Sequence, residues 1–224
     1  MIGGIDIIDI SLAEVSVLKA EPNRGCQVVE NIPICPPGSI ENSDFVRSFG
    51  FERVLSSGTF LDSLRFRFHL AQRLSVDPAS VEAQIVGEHG TSEVFLWSSA
   101  RVAGVPIARA LRSPAQSEED LRRTVEREVG YANITIIEGN QASQYGIGMV
   151  SARIAEAVLR DERTVIPIGS YNPRYGVTLS LPSVLGREGV VQILEPEMSE
   201  QERQALQRSA DTLKSAFARV KEKA

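Results

Sequence analysis

Two cysteines, two histidines and one tryptophan in 224 residues leave little room for several kinds of chemistry. Cys26 and Cys35 are too sparse for a disulfide framework and lack the spacing of zinc ligands, so they read as reduced thiols and no metal site is expected. No apolar run approaches the roughly 20 residues that cross a bilayer. No basic stretch accompanies the opening Met1-Ile-Gly-Gly-Ile-Asp, so nothing there reads as a secretory signal. Positive charge is in deficit: 24 Lys and Arg against 29 Asp and Glu give a net charge of −5, and so no electrostatic reason to seek nucleic acid or an anionic membrane. The expectation is a cytoplasmic protein, with a local basic pocket for a small anion left open.

Apolar residues at 42% and charged residues at 24% make an ordinary globular balance, and the length suffices for one large domain or two small ones. Residues 1–44 differ from the rest. Ile5 to Ile10 is a β-branched run that reads as a strand, and Leu12 to Lys19 fits a short helix. Pro22, Asn23, Gly25, Pro33, Pro36, Pro37 and Gly38 then break any regular element. This stretch reads as an irregular arm or as a remnant of another domain.

From Thr59 the signals sharpen. Thr59 and Asp62 have capping-box spacing, and Leu61, Leu64, Phe68, Ala71 and Leu74 recur with helical period. Asp77-Pro78 ends that helix. Gln84 to Val86, Val94 to Trp97 and Val102 to Val105 read as strands. Ser117 opens a helix whose apolar positions are Leu121, Val125, Val129 and Ile136, although Ile134-Thr-Ile136 locally prefers strand. Ile147, Val150, Ile154 and Val158 mark another helix. Val165 to Ile168 and Val177 to Leu181 read as strands around an Asn172-Pro173 turn. Val177, Leu179 and Leu181 alternate with Thr178 and Ser180, as in a half-buried strand. Ser199 and Glu202 form a second capping box, before a stripe of Leu206, Ala210, Leu213, Phe217 and Val220. Helices and strands without βαβ alternation predict an α+β fold for residues 45–224.

His69 falls mid-helix, where a structural role suits it. His89 lies between glycines in Gly87-Glu-His89-Gly90, just past a strand, where a ligand can approach closely. Asp62 and Arg65 are three apart and share a helix face; alone they are an ordinary ion pair. A carboxylate that orients a histidine and raises its proton affinity makes an acid near neutral pH. An arginine beside that pair offers a planar fork for a substrate carboxylate. Together they suit reduction of a 2-keto acid, given a hydride source.

The stretch Gly58-Thr-Phe-Leu-Asp62-Ser-Leu-Arg65-Phe-Arg67 resembles the GTxLDSxRFR segment of NAD-dependent L-lactate dehydrogenases and their malate-reducing relatives. Val86-Gly-Glu-His89-Gly-Thr-Ser-Glu93-Val is similar to that family's GEHGDSEV, with Thr91 in place of the acidic residue. Gln141-Ala-Ser143-Gln-Tyr-Gly-Ile147 resembles KGATYYGI, and the likeness continues through Ile154 to Arg160 and Leu179 to Val190. The resemblance implies a lactate/malate dehydrogenase C-terminal catalytic domain over residues 45–224, of mixed helices and antiparallel strands. His89 then corresponds to the catalytic acid/base, Asp62 to its orienting carboxylate and Arg65 to the substrate-carboxylate clamp. Ser143 falls where a pocket threonine is usual. A small 2-keto or 2-hydroxy acid is the implied substrate, L-lactate and pyruvate first, within a homo-oligomer. Arg67 matches an arginine that binds fructose 1,6-bisphosphate in some bacterial relatives, but Glu82 stands where the accompanying histidine would be, and a carboxylate repels phosphate. Activation by that effector is not expected.

The resemblance also implies NAD, whose domain carries Gly-x-Gly-x-x-Gly between a strand and a helix. That pattern does not occur, and Gly3-Gly4 has no preceding strand. The expectation is therefore the catalytic half of an oxidoreductase, inactive by itself; the alternative is a non-catalytic remnant that serves as an oligomerisation or interaction partner.

Overall fold

The structure is a computed structural model that describes residues 27–29, 32–34, 53–111, 117–141 and 144–221. The strand expected at Ile5–Ile10, the helix at Leu12–Lys19, Cys26, Cys35 and Ser143 lie outside the described residues. The arm was expected to hold no regular element between Pro22 and Gly38. It holds an antiparallel pair, β1 (Gln27–Val29) and β2 (Ile32–Ile34), with Val28 opposite Pro33. The β-branched residues on either side of Glu30-Asn31 outweigh the flanking breakers.

Helix α1 (Gly58–Leu74) runs through the centre of the fold. Its stripe differs from the expected one. Phe66 and Leu70 are fully buried and Ala71 and Leu74 nearly so, whereas Leu64 and Phe68 are exposed. The buried face also carries Thr59, Asp62 and Ser63, so polar positions share the inward side and displace the apolar period. The helix ends on Ser75 in the left-handed conformation (φ 54°), whose N–H donates back to the last turn. Asp77 then caps a 3-10 turn at Pro78–Ser80 through the Ala79 N–H, 2.7 Å from its Oδ1.

The strands that follow are short: β3 (Val81–Glu82), β4 (Ile85–Val86), β5 (Val94–Phe95), β6 (Arg101–Val102) and β7 (Val105–Pro106). The single strand expected from Val102 to Val105 is a tight hairpin, with Ala103 (φ 47°) and Gly104 (φ 78°) turning the chain between β6 and β7. Strand β3 pairs with β6, and β4 with β5, all antiparallel. After a one-turn helix α2 (Ile107–Ala110), the next helical pattern splits into α3 (Glu118–Gly130) and α4 (Ala132–Asn140). Ser117 caps α3 by accepting from the Asp120 N–H. Ile136, the last apolar position of that pattern, and Ile134, in the stretch that locally prefers strand, sit exposed on α4.

Helix α5 (Gln144–Leu159) leads into a three-stranded antiparallel sheet, ordered β10-β9-β8, of β8 (Thr164–Asn172), β9 (Val177–Gly186) and β10 (Gly189–Ile193). Strand β9 was expected to be half-buried. From Leu179 to Ser183 it is buried on both faces, because Leu179 and Leu181 pack toward α6 (Glu200–Lys221) while Ser180 bridges to Gly87. Helix α6 begins with the expected capping box: the Ser199 N–H donates to Glu202 at 2.7 Å and the Glu202 N–H to Ser199 Oγ at 3.3 Å. Antiparallel sheets with helices packed around them make this an α+β fold.

Three apolar clusters make up the core, and two of them meet at β4. One joins α1 to α3 through Phe66, Leu70, Leu121 and Val125. Another sets Phe60 and α5 against Ile166, Ile168 and Leu185. The third joins Val86, Val94 and Leu96 to Leu206 and Ala210 of α6. Successive residues Ile85 and Val86 enter different clusters, as the alternation of a strand requires. The chain leaving Val86 is thus held from both sides. No helix among the described residues is long and apolar enough to cross a membrane.

Candidate active site

Asp62 enters the site from α1, and His89 enters from the loop after β4. Ser63, next to Asp62, locks the two elements together. Its Oγ donates to Thr59 O (2.7 Å) and accepts from the Ile85 N–H (2.8 Å). The hydroxyl that satisfies a strand donor therefore fixes the distance between helix and loop. Across that gap, His89 Nδ1 lies 2.6 Å from Asp62 Oδ2. Asp62 is 3% exposed, so this carboxylate depends on protein donors rather than water. Its other oxygen, Oδ1, accepts from Arg65 Nη1 at 2.9 Å. The structure thus brings Asp62, Arg65 and His89 into one cluster. Asp62 does not cap α1: Ser57 occupies the N-cap without a side-chain hydrogen bond, contrary to the capping-box expectation at Thr59. Committing Asp62 to His89 and Arg65 is the physical reason.

The loop that carries His89 is fastened to α6. The Glu88 N–H donates to Ser209 Oγ (2.8 Å), the Ser92 hydroxyl donates to the Glu88 carboxylate, and the Ser209 and Ser92 hydroxyl oxygens lie 3.2 Å apart. Gly87 turns the chain at φ 89°, and a Cβ there would press within 2.6 Å of Ser209 Oγ. Gly58 solves a second steric problem. A Cβ on it would fall inside the His89 imidazole, so α1 can start beneath the ring only as glycine. Sequence reasoning quoted Gly58 and Ser63 inside a motif but gave neither a role; the signal was their place beside Asp62, and the reason lay in contacts far along the chain.

Glu93 is a further residue that sequence reasoning left without a role. Its carboxyl lies within 4.8 Å of both Asp62 and His89, and its pKa is pushed up to about 8, chiefly by burial and then by the Asp62 charge, against the pull of His89 and Arg65. Asp62, His89 and Glu93 each offer an atom, all within 4.8 Å of one another. A cation there would compete with the Arg65 guanidinium and with the proton between His89 and Asp62 for the same two oxygens. What the arrangement can do is hold a proton on an oriented imidazole and present an arginine beside it.

His69 lies elsewhere, between α1 and α3. Its Nδ1 is 3.1 Å from Glu128 Oε2, close enough for charge attraction though not aligned as a hydrogen bond. Burial lowers its pKa, against the pull of Glu128. Arg67 is turned away from the cluster, its Nε donating to Ala83 O at 2.9 Å.

Comparison with known proteins adds the following. Residues 59–224 match the family described as lactate/malate dehydrogenase, alpha/beta C-terminal domain. An L-lactate dehydrogenase from Deinococcus radiodurans is 46% identical over 162 residues, 72% of this chain and 53% of the relative. One from Thermus aquaticus is 46% identical over 207 residues, 89% of this chain and 65% of the relative. Among solved structures, a minor L-lactate dehydrogenase from Enterococcus mundtii superposes with TM-score 0.71 at 36% identity, over 77% of this chain and 56% of that one. A lactate dehydrogenase from a Medee basin deep-sea metagenome gives 0.70 at 36% identity, over 74% of this chain and 55% of that one. The chain spans between half and two thirds of the length of these proteins.

Proposed function

Because the chain belongs to the lactate/malate dehydrogenase family, we propose that residues 45–224 form the proton-donating, carboxylate-binding half of an oxidoreductase. The reaction is the interconversion of an L-2-hydroxy acid and a 2-keto acid, with L-lactate and pyruvate ahead of malate and oxaloacetate. The observation that carries this reading is the 2.6 Å pairing of His89 with a buried Asp62 that also holds Arg65.

In this reading Asp62 keeps a proton on His89 Nδ1 and turns Nε2 toward the substrate. Protonated His89 donates from Nε2 to the keto oxygen, and takes that proton back in the reverse direction. Arg65, with one N–H on Asp62, directs the rest of its fork to the substrate carboxylate. By the resemblance, Ser143 stands where a pocket threonine is usual, keeping the hydroxyl and losing a methyl.

A nicotinamide dinucleotide, when bound, supplies the hydride. The described residues do not fit it: the sheets among them are antiparallel and give no strand–glycine turn–helix cradle for a pyrophosphate. The proposed contribution of this chain is therefore the proton and the clamp, with turnover absent from the chain by itself. The match to the Thermus aquaticus relative covers 89% of the chain, whereas residues 45–224 make up about four fifths of it. It therefore takes in part of residues 1–44, which supports reading that segment as a remnant of the nucleotide-binding domain. A second reading, an oligomerisation or interaction partner without catalysis, is favoured by the large side chains exposed on α5, Tyr145 and Met149. Fructose 1,6-bisphosphate is not proposed as an activator, since Arg67 is engaged by Ala83 O and faces the Glu82 charge. The cytoplasm is the proposed location.

The test is a pyruvate titration of the purified chain, followed through the imidazole resonances of its two histidines, with NADH oxidation followed in parallel. Saturable shifts at His89 that vanish in Arg65→Gln are expected, without NADH oxidation. No response of His89 to pyruvate would refute the clamp. NADH oxidation that disappears in His89→Ala would refute the absence of turnover.

A further inference from the structure

Neither the proton donor nor the carboxylate clamp uses Glu93, yet its half-buried carboxyl shares the cluster with buried Asp62. It stands with Asp62 and His89 inside a 4.8 Å circle. Two carboxylates this close, one buried and the other half-buried, do not both hold a charge cheaply; one keeps its proton. Which one follows from the neighbours. Asp62 accepts from Arg65 on one oxygen and faces His89 on the other, so both of its oxygens already have partners. Glu93 looks instead toward the carboxyl end of α3. Its Oε1 is 4.0 Å from where a Cβ on Gly130, the last helical residue, would stand. Helix carboxyl ends carry partial negative charge, which disfavours another anion. The charged groups that act on Glu93 are Asp62 and Arg65 from α1 and His89 from its own loop. The direction of its shift, upward to about 8, agrees with this geometry.

We propose that Glu93 is a positioning residue whose protonated carboxyl donates its O–H to the Asp62 carboxylate. Asp62 then receives three donors: imidazole N–H, guanidinium N–H and carboxyl O–H. The third donor draws off basicity, so Asp62 orients His89 without holding its proton too tightly. It also ties the loop that carries His89 to Asp62 on α1. The inference concerns the site of the proposed function and rests on that reading only in naming His89 the acid. Its readout needs no turnover, and failure of pyruvate to bind leaves it untouched.

The experiment is a pH titration of the full chain by NMR. Two histidines give two imidazole systems, and His69→Gln assigns them. In the wild-type protein the Glu93 side-chain carboxyl carbon is expected to titrate above pH 7. A midpoint in the ordinary range near 4.3 overturns the proposal. In Glu93→Gln, which keeps a donor and loses no charge if Glu93 is protonated, His89 should titrate within about half a unit of wild type. In Glu93→Ala, which leaves Asp62 short of a donor, the His89 midpoint should rise by about half a unit or more. A Glu93→Gln midpoint lowered by roughly 2 units would show that a full charge had been removed, and overturns the proposal. Glutamine and alanine variants that behave alike overturn the donor role. The wild-type carboxyl titration decides the matter even where a variant fails to fold.

Discussion

At position 58 a single methyl group would occupy the space of the His89 ring, and at position 93 burial and the Asp62 charge push a carboxyl pKa up to about 8. Both facts are invisible in the sequence as such, since each depends on residues that the fold brings together across α1 and the β4–β5 loop. Asp62, Arg65 and His89 were legible, because their types and spacing already describe an oriented acid beside a cation. Glu93 was quoted in the same motif and passed over, because a glutamate four residues after a histidine looks like a solvated loop charge. Its burial makes a stability prediction. Glu93 titrates near 4.5 when exposed and near 8 in the fold, so the folded state holds the proton longer. The stabilisation is complete below about pH 4.5 and is lost as pH rises through 8. His69 acts in the opposite direction: its lowered pKa favours the fold above its unfolded value near 6.5, a contribution lost as pH falls. It is common to wild type and Glu93→Gln and cancels between them. Urea denaturation from pH 5 to 8.5 should therefore show wild type losing about 2–4 kcal/mol relative to Glu93→Gln. Parallel curves for the two proteins would show that Glu93 is not burdened by its site.

Helix starts show how far local sequence determines an element. Ser117 and Ser199 cap α3 and α6 as their spacing predicts, and Asp120 and Glu202 keep their place in the caps while also holding Arg123 and Ser98. The Thr59–Asp62 pair has the same spacing and does not cap, because His89 and Arg65 claim Asp62. The same competition explains the misplaced stripe of α1, where Asp62 and Ser63 hold inward positions that pattern reading gives to Leu64 and Phe68. The β6–β7 hairpin was missed for a different reason: Ala103-Gly104 is an uncommon turn pair, and alanine at positive φ is not a signal that composition reveals. Caps can be ranked by experiment. Ser199→Ala removes an acceptor from a working capping box and should cost about 1 kcal/mol in thermal or urea unfolding. Ser57→Ala should cost nothing, or stabilise, because Ser57 Oγ is buried at the α1 N-cap without a hydrogen-bond partner. Equal losses in the two variants would show that Ser57 makes a contact through its hydroxyl that the cap geometry does not reveal.

Across the whole molecule, burial is unevenly distributed. Leu121, Val125, Ile154 and Leu206 are sealed inside, while Tyr145 (80% exposed) and Met149 (75%) stand one turn apart on the outer face of α5, opposite buried Val150 and Ile154. Tyr131 and Ile134, in and before α4, are also open, as is Phe68 on α1. Amphipathic logic places polar residues on a helix face that meets only water. A tyrosine and a methionine with most of their surface bare therefore imply that this face is covered when the protein works, and exposed apolar patches of a few hundred Å² usually mark such contacts. The net charge of −5 is modest for this length and does not prevent like copies from meeting. The chain is thus expected to self-associate through the α5 face at micromolar concentration. Analytical ultracentrifugation should find a dimer or larger species, and the double variant Tyr145→Ser with Met149→Ser should shift it toward monomer. Because both side chains make few contacts within the fold, the double variant should unfold within about 0.5 kcal/mol of wild type per site. A wild-type monomer at high concentration would count against a homo-oligomer, and a variant that loses association together with stability would place these side chains in the core of the fold rather than on a contact face.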